Sequence, residues 1–325
     1  IRDLIVTGVQ TCALPISSHC DHCVGSHTGE RSCLATATAT ARSWLLIEHP
    51  GPWPERIEQL TGPAPLVAVI ERAARAGVRP QLIRRPGRGR RPTPPLQVYL
   101  GGSLGGPVWL EGRTLGDHRE LEELDEGVLA EVAAGRRPRF GEPVAGPAGA
   151  PGKPLLLVCT HGKRNACCAR YGAPLARELA ARFGDLVWET THVGGDRYAA
   201  NLVCLPHGLY YGDLGAAEAA SAVESYLRGE VALERLRGRA GLPAPAQAAE
   251  HHVRVLTGVL GVDSVSVESL TGTSPYEAVI DVAGARYLVT VEETEPVHDC
   301  EPGCQENVRS YVVRGITLLN RAALV

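Results

Sequence analysis

Two cysteines and a histidine in the middle of the chain could together bind a soft metal ion or an iron–sulfur cluster. A loop of polar residues lies between Cys159 and Cys168, and His192 is the first residue of a glycine-containing loop further along the chain. Thiolates bind soft metals and iron–sulfur clusters, and an imidazole can replace a thiolate and raise the reduction potential. The alternative is structural, because isolated cysteines are commonly small buried hydrophobic residues and a histidine at a strand end is often only hydrogen-bonded.

The elements around these residues predict that they meet. The apolar run Leu155–Val158 predicts a buried strand, and Cys159 follows it directly. Helical spacing runs over Gly172–Phe183, with Cys168 just before it, and Leu186–Thr190 predicts a second strand that leads into the histidine loop. Parallel strands of such a βαβ unit carry their following loops to the same sheet edge. We therefore expect the cysteine and histidine loops to lie side by side.

Four motifs give the region a family resemblance. They are WLLIEHPGPW from Trp44, CTHGKR from Cys159, HVGG from His192 and GLYYG from Gly208. Over roughly Trp44 to Gly212 the chain resembles the sucrase/ferredoxin-like family. The resemblance implies a thioredoxin-like fold and, from the best understood branch of the family, a [2Fe–2S] cluster held by two cysteines and two histidines.

The resemblance assigns three cluster ligands and leaves the fourth open. Cys159 and Cys168 have the spacing of the cysteines in that best understood branch, and His192 matches the first histidine of the branch's His-x-Gly-Gly-His loop. Asp196 stands where the second histidine is expected, and a carboxylate is a hard and unusual ligand for such a cluster. The fourth ligand would be Asp196 or a thiol from another cysteine, the candidates being Cys167, Cys300 and Cys304.

Two other cysteine groups could bind metal. Cys20 and Cys23 form a C-x-x-C motif beside histidines, but a structural zinc site usually needs two such pairs, and no second pair follows. Cys300 and Cys304 could donate cluster ligands, form a regulatory disulfide or remain unused in a surface loop. We expect Cys204 to be a core residue. The remaining polar candidates, expected to support the site or lie on the surface, are His161 and His207.

The order of predicted elements indicates an α/β fold of two thioredoxin-like βαββα halves plus a small C-terminal α+β domain. Leu45–Ile47 corresponds to Leu156–Val158, and Leu96–Leu100 corresponds to Asn201–Leu205, so the order repeats. The predicted parts are an artefact-like or disordered segment (1–29), an N-terminal half without ligands (30–137), a Pro/Gly linker (138–153), the ferredoxin half (154–237), a second linker (238–248) and the α+β domain (249–325).

Composition and hydropathy argue against some classes of function and location. The 325 residues carry a formal charge of −3, which argues against general nucleic-acid binding because that needs a basic face. No apolar run approaches the roughly 20 residues of a membrane span. The stretch from Ile1 to about Ser17 resembles a translated sequencing adapter and is excluded from fold predictions. Of the ten cysteines, Cys12 falls in this stretch, and the others cluster, mostly near histidines, rather than spreading evenly. We therefore expect the protein to reside in a reducing cytoplasm.

The leading hypothesis is a [2Fe–2S] electron carrier rather than a catalyst. No glycine-rich dinucleotide motif follows a strand, so the redox partner would be a separate reductase or electron acceptor protein. Basic residues would neutralise the cluster and form a docking face for that partner; they are Lys163, Arg164 and Arg197. The alternatives are a thiol-redox protein of thioredoxin type and a binding module without a cluster. The sucrase part of the family's name would require a carboxylate pair, and no motif here argues for one.

Overall fold

The computed structural model describes residues 34–87, 94–145, 153–294 and 309–321. These residues form a mixed α/β structure with a large curled sheet of ten strands, helices packed on it, and a separate antiparallel sheet of four strands. The stretches 1–29 and the cysteine groups at Cys20, Cys23, Cys300 and Cys304 lie outside the described residues. No helix among the described residues is long and apolar enough to cross a membrane.

The first part of the ten-stranded sheet follows the order β2-β1-β3-β4-β5. Its strands alternate between two cores: Leu45 and Ile47 face the helices, whereas Trp44 and Leu46 face the inner side of the curled sheet. The elements are β1 (Ser43–Glu48), α1 (Ala64–Ala76), β2 (Arg79–Arg84), β3 (Leu96–Gly102), β4 (Trp109–Leu115), α2 (Glu126–Ala133) and β5 (Glu142–Ala145).

The second part of the sheet follows the order β7-β6-β8-β9-β10, which is the same spatial order as the first. The two parts join through antiparallel pairing of β2 with β7. The elements are β6 (Leu155–Cys159), α3 (Ala166–Phe183), β7 (Val187–Thr190), β8 (Leu202–Leu205), β9 (Leu209–Tyr211), α4 (Ala216–Leu227) and β10 (Leu236–Arg239).

The inner face of the curled sheet is a core shared by both parts. Tyr99 packs against Trp188 with ring centroids 5.8 Å apart, and Trp44 lies 6.4 Å from Tyr210. Cys159 and Cys168 belong to this same buried cluster. The two parts therefore share a core that extends to the candidate ligands.

The helix predicted after the cysteine loop begins at a different residue in the structure. Helix α3 starts at Ala166 rather than Gly172, because the Asn165 side chain caps it by accepting a hydrogen bond from the Cys167 backbone N–H at 2.9 Å. Cys168 consequently lies in the first turn of the helix, not before it.

The C-terminal part consists of α5 (Ala244–Thr257) packed on the sheet β11-β12-β13-β14, whose strands are Val265–Gly272, Tyr276–Val282, Ala285–Glu293 and Tyr311–Arg321. Residues 34–37, assigned from sequence to the N-terminal half, also contact this part: Ala35 joins its core, and the Ala37 backbone exchanges hydrogen bonds with the Gln247 side chain.

The predicted linkers 138–153 and 238–248 contain regular secondary structure at β5, β10 and α5. The domain boundaries stay predictions.

Candidate metal centre

The structure brings Cys159, Cys168 and His192 together at one end of the ten-stranded sheet. A ligand atom from each, two Sγ and one ring nitrogen, lies within 4.8 Å of both others. The Cys168 Sγ is 3.8 Å from the Nδ1 of His192. Both cysteines are buried, whereas His192 is half-buried. Two soft sulfur donors and an imidazole therefore converge on one space, as the sequence predicted for the two loops.

The strands explain this convergence. β6 and β7 are parallel neighbours, and Cys159, the last residue of β6, pairs in register with Thr190 at the end of β7. His192 follows two residues later, at the same sheet edge. The third donor comes from helix α3, which can approach β6 closely because Gly172 has no side chain; a Cβ there would lie 2.0 Å from the carbonyl oxygen of Cys159.

His192 is fixed by a second histidine and by the first part of the sheet. The Nδ1 of His161 accepts a hydrogen bond from the His192 backbone N–H at 3.1 Å, so the His161 proton resides on Nε2, which donates to the Pro54 carbonyl at 2.6 Å. Burial lowers the pKa of His161, which keeps the ring neutral. Arg79 and Gln81 each donate to the His192 carbonyl oxygen at 3.3 Å.

The loop after His192 is held by Arg237, a residue that the sequence analysis missed. The Arg237 side chain is buried and donates to the Gly194 carbonyl at 2.9 Å and to Asn201 Oδ1 at 2.7 Å. Asn201 in turn donates to the Gly195 carbonyl at 2.9 Å. Both glycines have positive φ, +94° at Gly194 and +70° at Gly195. No local pattern marks Arg237, because its partners are distant in sequence.

Asp196 and Cys167 lie next to the three donors but outside that compact group. The Asp196 carboxylate accepts a hydrogen bond from the Asn165 amide, whose own oxygen caps α3. Cys167 is buried in the first helical turn, beside Cys168. The charges of both residues act on the Cys168 thiol, so both lie close enough to matter electrostatically.

The pKa values of the two thiols are shifted in opposite directions. A hydrogen bond from the Cys168 thiol lowers the pKa of Cys159 well below its ordinary value, against the effect of burial, and His192 lowers it further. The same hydrogen bond to Cys159, together with burial, raises the pKa of Cys168 well above the ordinary value. The Cys159 thiol therefore gives up its proton more readily than the Cys168 thiol, and a metal bound to both sulfurs would release the Cys168 proton.

A chain of contacts ties the N-terminal tryptophan motif to this site. The Trp53 ring packs edge-on against His161, with centroids 5.8 Å apart, and the Arg84 guanidinium lies 4.1 Å above the same Trp53 ring. Arg84 pairs with Glu189 at 2.7 Å, and Glu189 accepts a hydrogen bond from Thr160 at 3.0 Å. The motif around Trp53 thus supports the residue that holds His192.

Comparison with known proteins gives one match. A protein-family model described as sucrase/ferredoxin-like matches residues 34–238. No curated protein and no solved structure matches the chain. The matched range includes the three donors and their supporting residues, and it ends within β10, before α5 and the four-stranded sheet.

Proposed function

The chain belongs to the sucrase/ferredoxin-like family, and we propose that it is an electron-transfer protein that binds a [2Fe–2S] cluster through Cys159, Cys168 and His192. The observation that carries this proposal is the mutual approach of two thiols and one imidazole nitrogen within 4.8 Å. Such a cluster, when bound, supplies a one-electron redox centre.

The donors suit a soft metal centre. Thiolate and imidazole are ligands of iron–sulfur clusters, and Cys168 lies in the first turn of α3, where the helix dipole favours negative charge. The fourth ligand would come from Asp196 or Cys167, the two candidates whose charges act on the Cys168 thiol. Hydrogen bonds hold the His192 backbone from three side chains, so the imidazole needs little reorganisation to bind.

Burial argues against the alternative of a thiol-exchange protein. An exchanging cysteine needs an accessible thiolate, but the exposed fractions of Cys159 and Cys168 are 1% and 0%. The pair also joins a strand end to a helix turn rather than forming a C-x-x-C at a helix start. We therefore favour a ligand role for both thiols.

The compactness of the donor group supports a second candidate, a single metal ion. Sulfur ligands about 2.3 Å from a tetrahedral ion stand about 3.8 Å apart, and the three donors here lie within 4.8 Å of one another. One zinc or iron ion would satisfy this spacing, with Asp196 or water as the fourth ligand. The single ion would use the same protein ligands as the [2Fe–2S] cluster, but it would contain no sulfide.

Metal and sulfide analysis separates the two candidates. Protein purified without oxygen should contain iron and acid-labile sulfide in equal amounts, about two of each per chain, with visible absorption. The variants Cys159→Ser and Cys168→Ser should each lose the iron and the sulfide. Cys204→Ala is the matched control, because Cys204 is a buried cysteine of another core cluster. About one metal per chain without sulfide would support the single ion, and a metal content unaffected by either serine variant would contradict both.

We further propose that the two parts of the ten-stranded sheet are thioredoxin-like βαββα halves. Their shared strand order, β2-β1-β3-β4 and β7-β6-β8-β9, supports this relationship. Only the second half carries the donors, while Arg79 and Gln81 of the first hold the His192 backbone. The first half would thus serve as a support for the second.

The proposed redox partner is a separate reductase or electron acceptor protein of the cytoplasm. Lys163 is exposed in the cysteine loop and Arg164 is half-buried beside it, which gives the site a basic rim suited to an acidic partner face. Arg164 pairs with Glu55 at 3.6 Å. Electron transfer that slows steeply with added salt, and slows further in Lys163→Glu, would support this docking mode.

A further inference from the structure

A cavity of about 520 Å³ opens beside His192. Its walls come from both parts of the ten-stranded sheet: residues 55–58, the α1 residue Ala74 and the start of β2 on one side, and the cysteine and histidine loops on the other. Cavities of roughly 300–1,000 Å³ are the size that binds small molecules. This cavity is separate from the space between the three metal donors, although His192 lines the cavity and is also one of the donors.

The guanidinium of Arg79 in the cavity wall is incompletely satisfied. One of its terminal nitrogens donates to the His192 carbonyl at 3.3 Å and the other approaches Thr38 Oγ1 at 3.4 Å. Its Nε atom is buried without a hydrogen-bond partner, and its Cζ lies 5.9 Å from the centre of the Trp44 ring, a further group that faces this charge. Within the part of the chain that the structure describes, no carboxylate lies within 4.0 Å of this guanidinium. A partly buried cation of this kind is stabilised by an anion.

The other charges of the cavity leave a positive excess. Arg164 is already paired with Glu55. The remaining charged side chains of the lining are Arg56 and Arg79 against Glu58. Apolar groups complete the wall at Ile57, Ala74 and Pro80, so an organic molecule with one anionic group matches the lining better than a bare ion.

We propose that this cavity binds a small organic anion whose carboxylate or phosphate group contacts the Arg79 guanidinium. An arginine fork binds either group through two parallel hydrogen bonds. The bound anion would stand next to His192, at the edge of the candidate metal centre. The proposal does not depend on the electron-transfer function, because the cavity and its charges exist without metal.

Titration with benzoate and phenyl phosphate tests the proposal, since these probes share a ring and differ in the anionic group. Calorimetry or ligand-observed NMR should show saturable binding of at least one probe at one site per chain, and the tighter probe identifies the preferred group. Arg79→Gln should weaken binding at least about tenfold because charge-assisted hydrogen bonds are lost. Arg75→Gln is the matched control, because Arg75 is an exposed α1 arginine paired with Glu126.

A second variant covers the case in which Arg79→Gln disturbs the fold through the His192 loop. Ala74→Trp places a large side chain at an exposed position of the cavity lining and leaves Arg79 intact, so it should also abolish binding. The proposal is overturned if neither probe binds saturably, if Arg79→Gln and Ala74→Trp bind like the wild type, or if Arg75→Gln loses binding equally. Measurements on metal-free and metal-loaded protein keep this result separate from that of the proposed function.

Discussion

His161 holds His192 by accepting its backbone N–H at 3.1 Å on Nδ1. One histidine is therefore a candidate ligand, and the other fixes the position of that ligand. The structure thus places His161, which the sequence assigned to a supporting or surface role, in direct support of the candidate ligand.

We expect His161→Gln to weaken metal binding while leaving the chain folded. Groups that orient a metal ligand typically contribute about 10–100-fold to metal affinity, and glutamine cannot bridge the His192 N–H and the Pro54 carbonyl with the same geometry. Competition with a chelator, monitored by iron content and visible absorption, measures the change. His252→Gln provides the control, because the His252 ring bonds to the Ala248 carbonyl of its own helix, α5. Equal chelator resistance in both variants would show that His161 has no such role.

The two loop glycines should differ in their tolerance of a methyl group. Gly194 and Gly195 both have positive φ, so alanine at either costs about 1–2 kcal/mol of strain. A Cβ at Gly194 meets open space, but at Gly195 it would lie 2.2 Å from a terminal nitrogen of Arg237. Gly195→Ala should therefore lower both the free energy of unfolding and the iron content more than Gly194→Ala does. Denaturant unfolding and metal analysis of the matched pair check this, and equal losses would mean that Arg237 simply moves aside.

The sequence predicted the meeting of Cys159 and His192 because that meeting follows from local rules. Apolar runs locate β6 and β7, and parallel neighbours deliver their loops to one edge. The start of α3 was predicted too late, since apolar periodicity begins at Leu175, whereas the Asn165 cap sets the first turn. The remaining features of the site depend on tertiary contacts. Arg237 braces the histidine loop across sequence separations of 43 and 36 residues, to Gly194 and Asn201, and no local pattern reports such a contact.

A buried ion network at the start of the C-terminal part makes stability depend on pH. Arg239 and Arg254 both contact Glu250 Oε1, at 3.2 and 2.9 Å. Burial alone would raise the pKa of Glu250, but the two guanidinium charges outweigh it and the pKa is lowered. A lowered folded-state pKa stabilises the fold above the ordinary value of about 4.3, and this stabilisation is lost as the pH falls through the folded-state pKa.

Glu250→Gln should therefore destabilise the chain by about 3–5 kcal/mol at pH 7, because it leaves two buried arginines without their counter-charge. The difference from wild type should shrink below about pH 4, where the wild-type carboxylate also becomes neutral. Urea unfolding across this pH range is the measurement. Glu230→Gln serves as control, since Glu230 pairs with Arg228 on the surface and its loss should cost at most about 1 kcal/mol. A difference that stays constant with pH would rule out the electrostatic origin.

Asp196→His should convert the site toward two-histidine ligation. From the sequence resemblance a second histidine is expected where Asp196 stands, and the Asp196 carboxylate accepts a hydrogen bond from Asn165 at the cap of α3, beside Cys168. An imidazole there is a softer donor than a carboxylate, so the variant should retain iron and sulfide and show a shifted visible spectrum, with two imidazole nitrogens coupled to the reduced centre in pulsed EPR. Asp185→His is the control, because Asp185 lies beyond the far end of α3. A spectrum identical to that of wild type would place Asp196 outside the reach of the metal, and the fourth ligand would then be sought at Cys167.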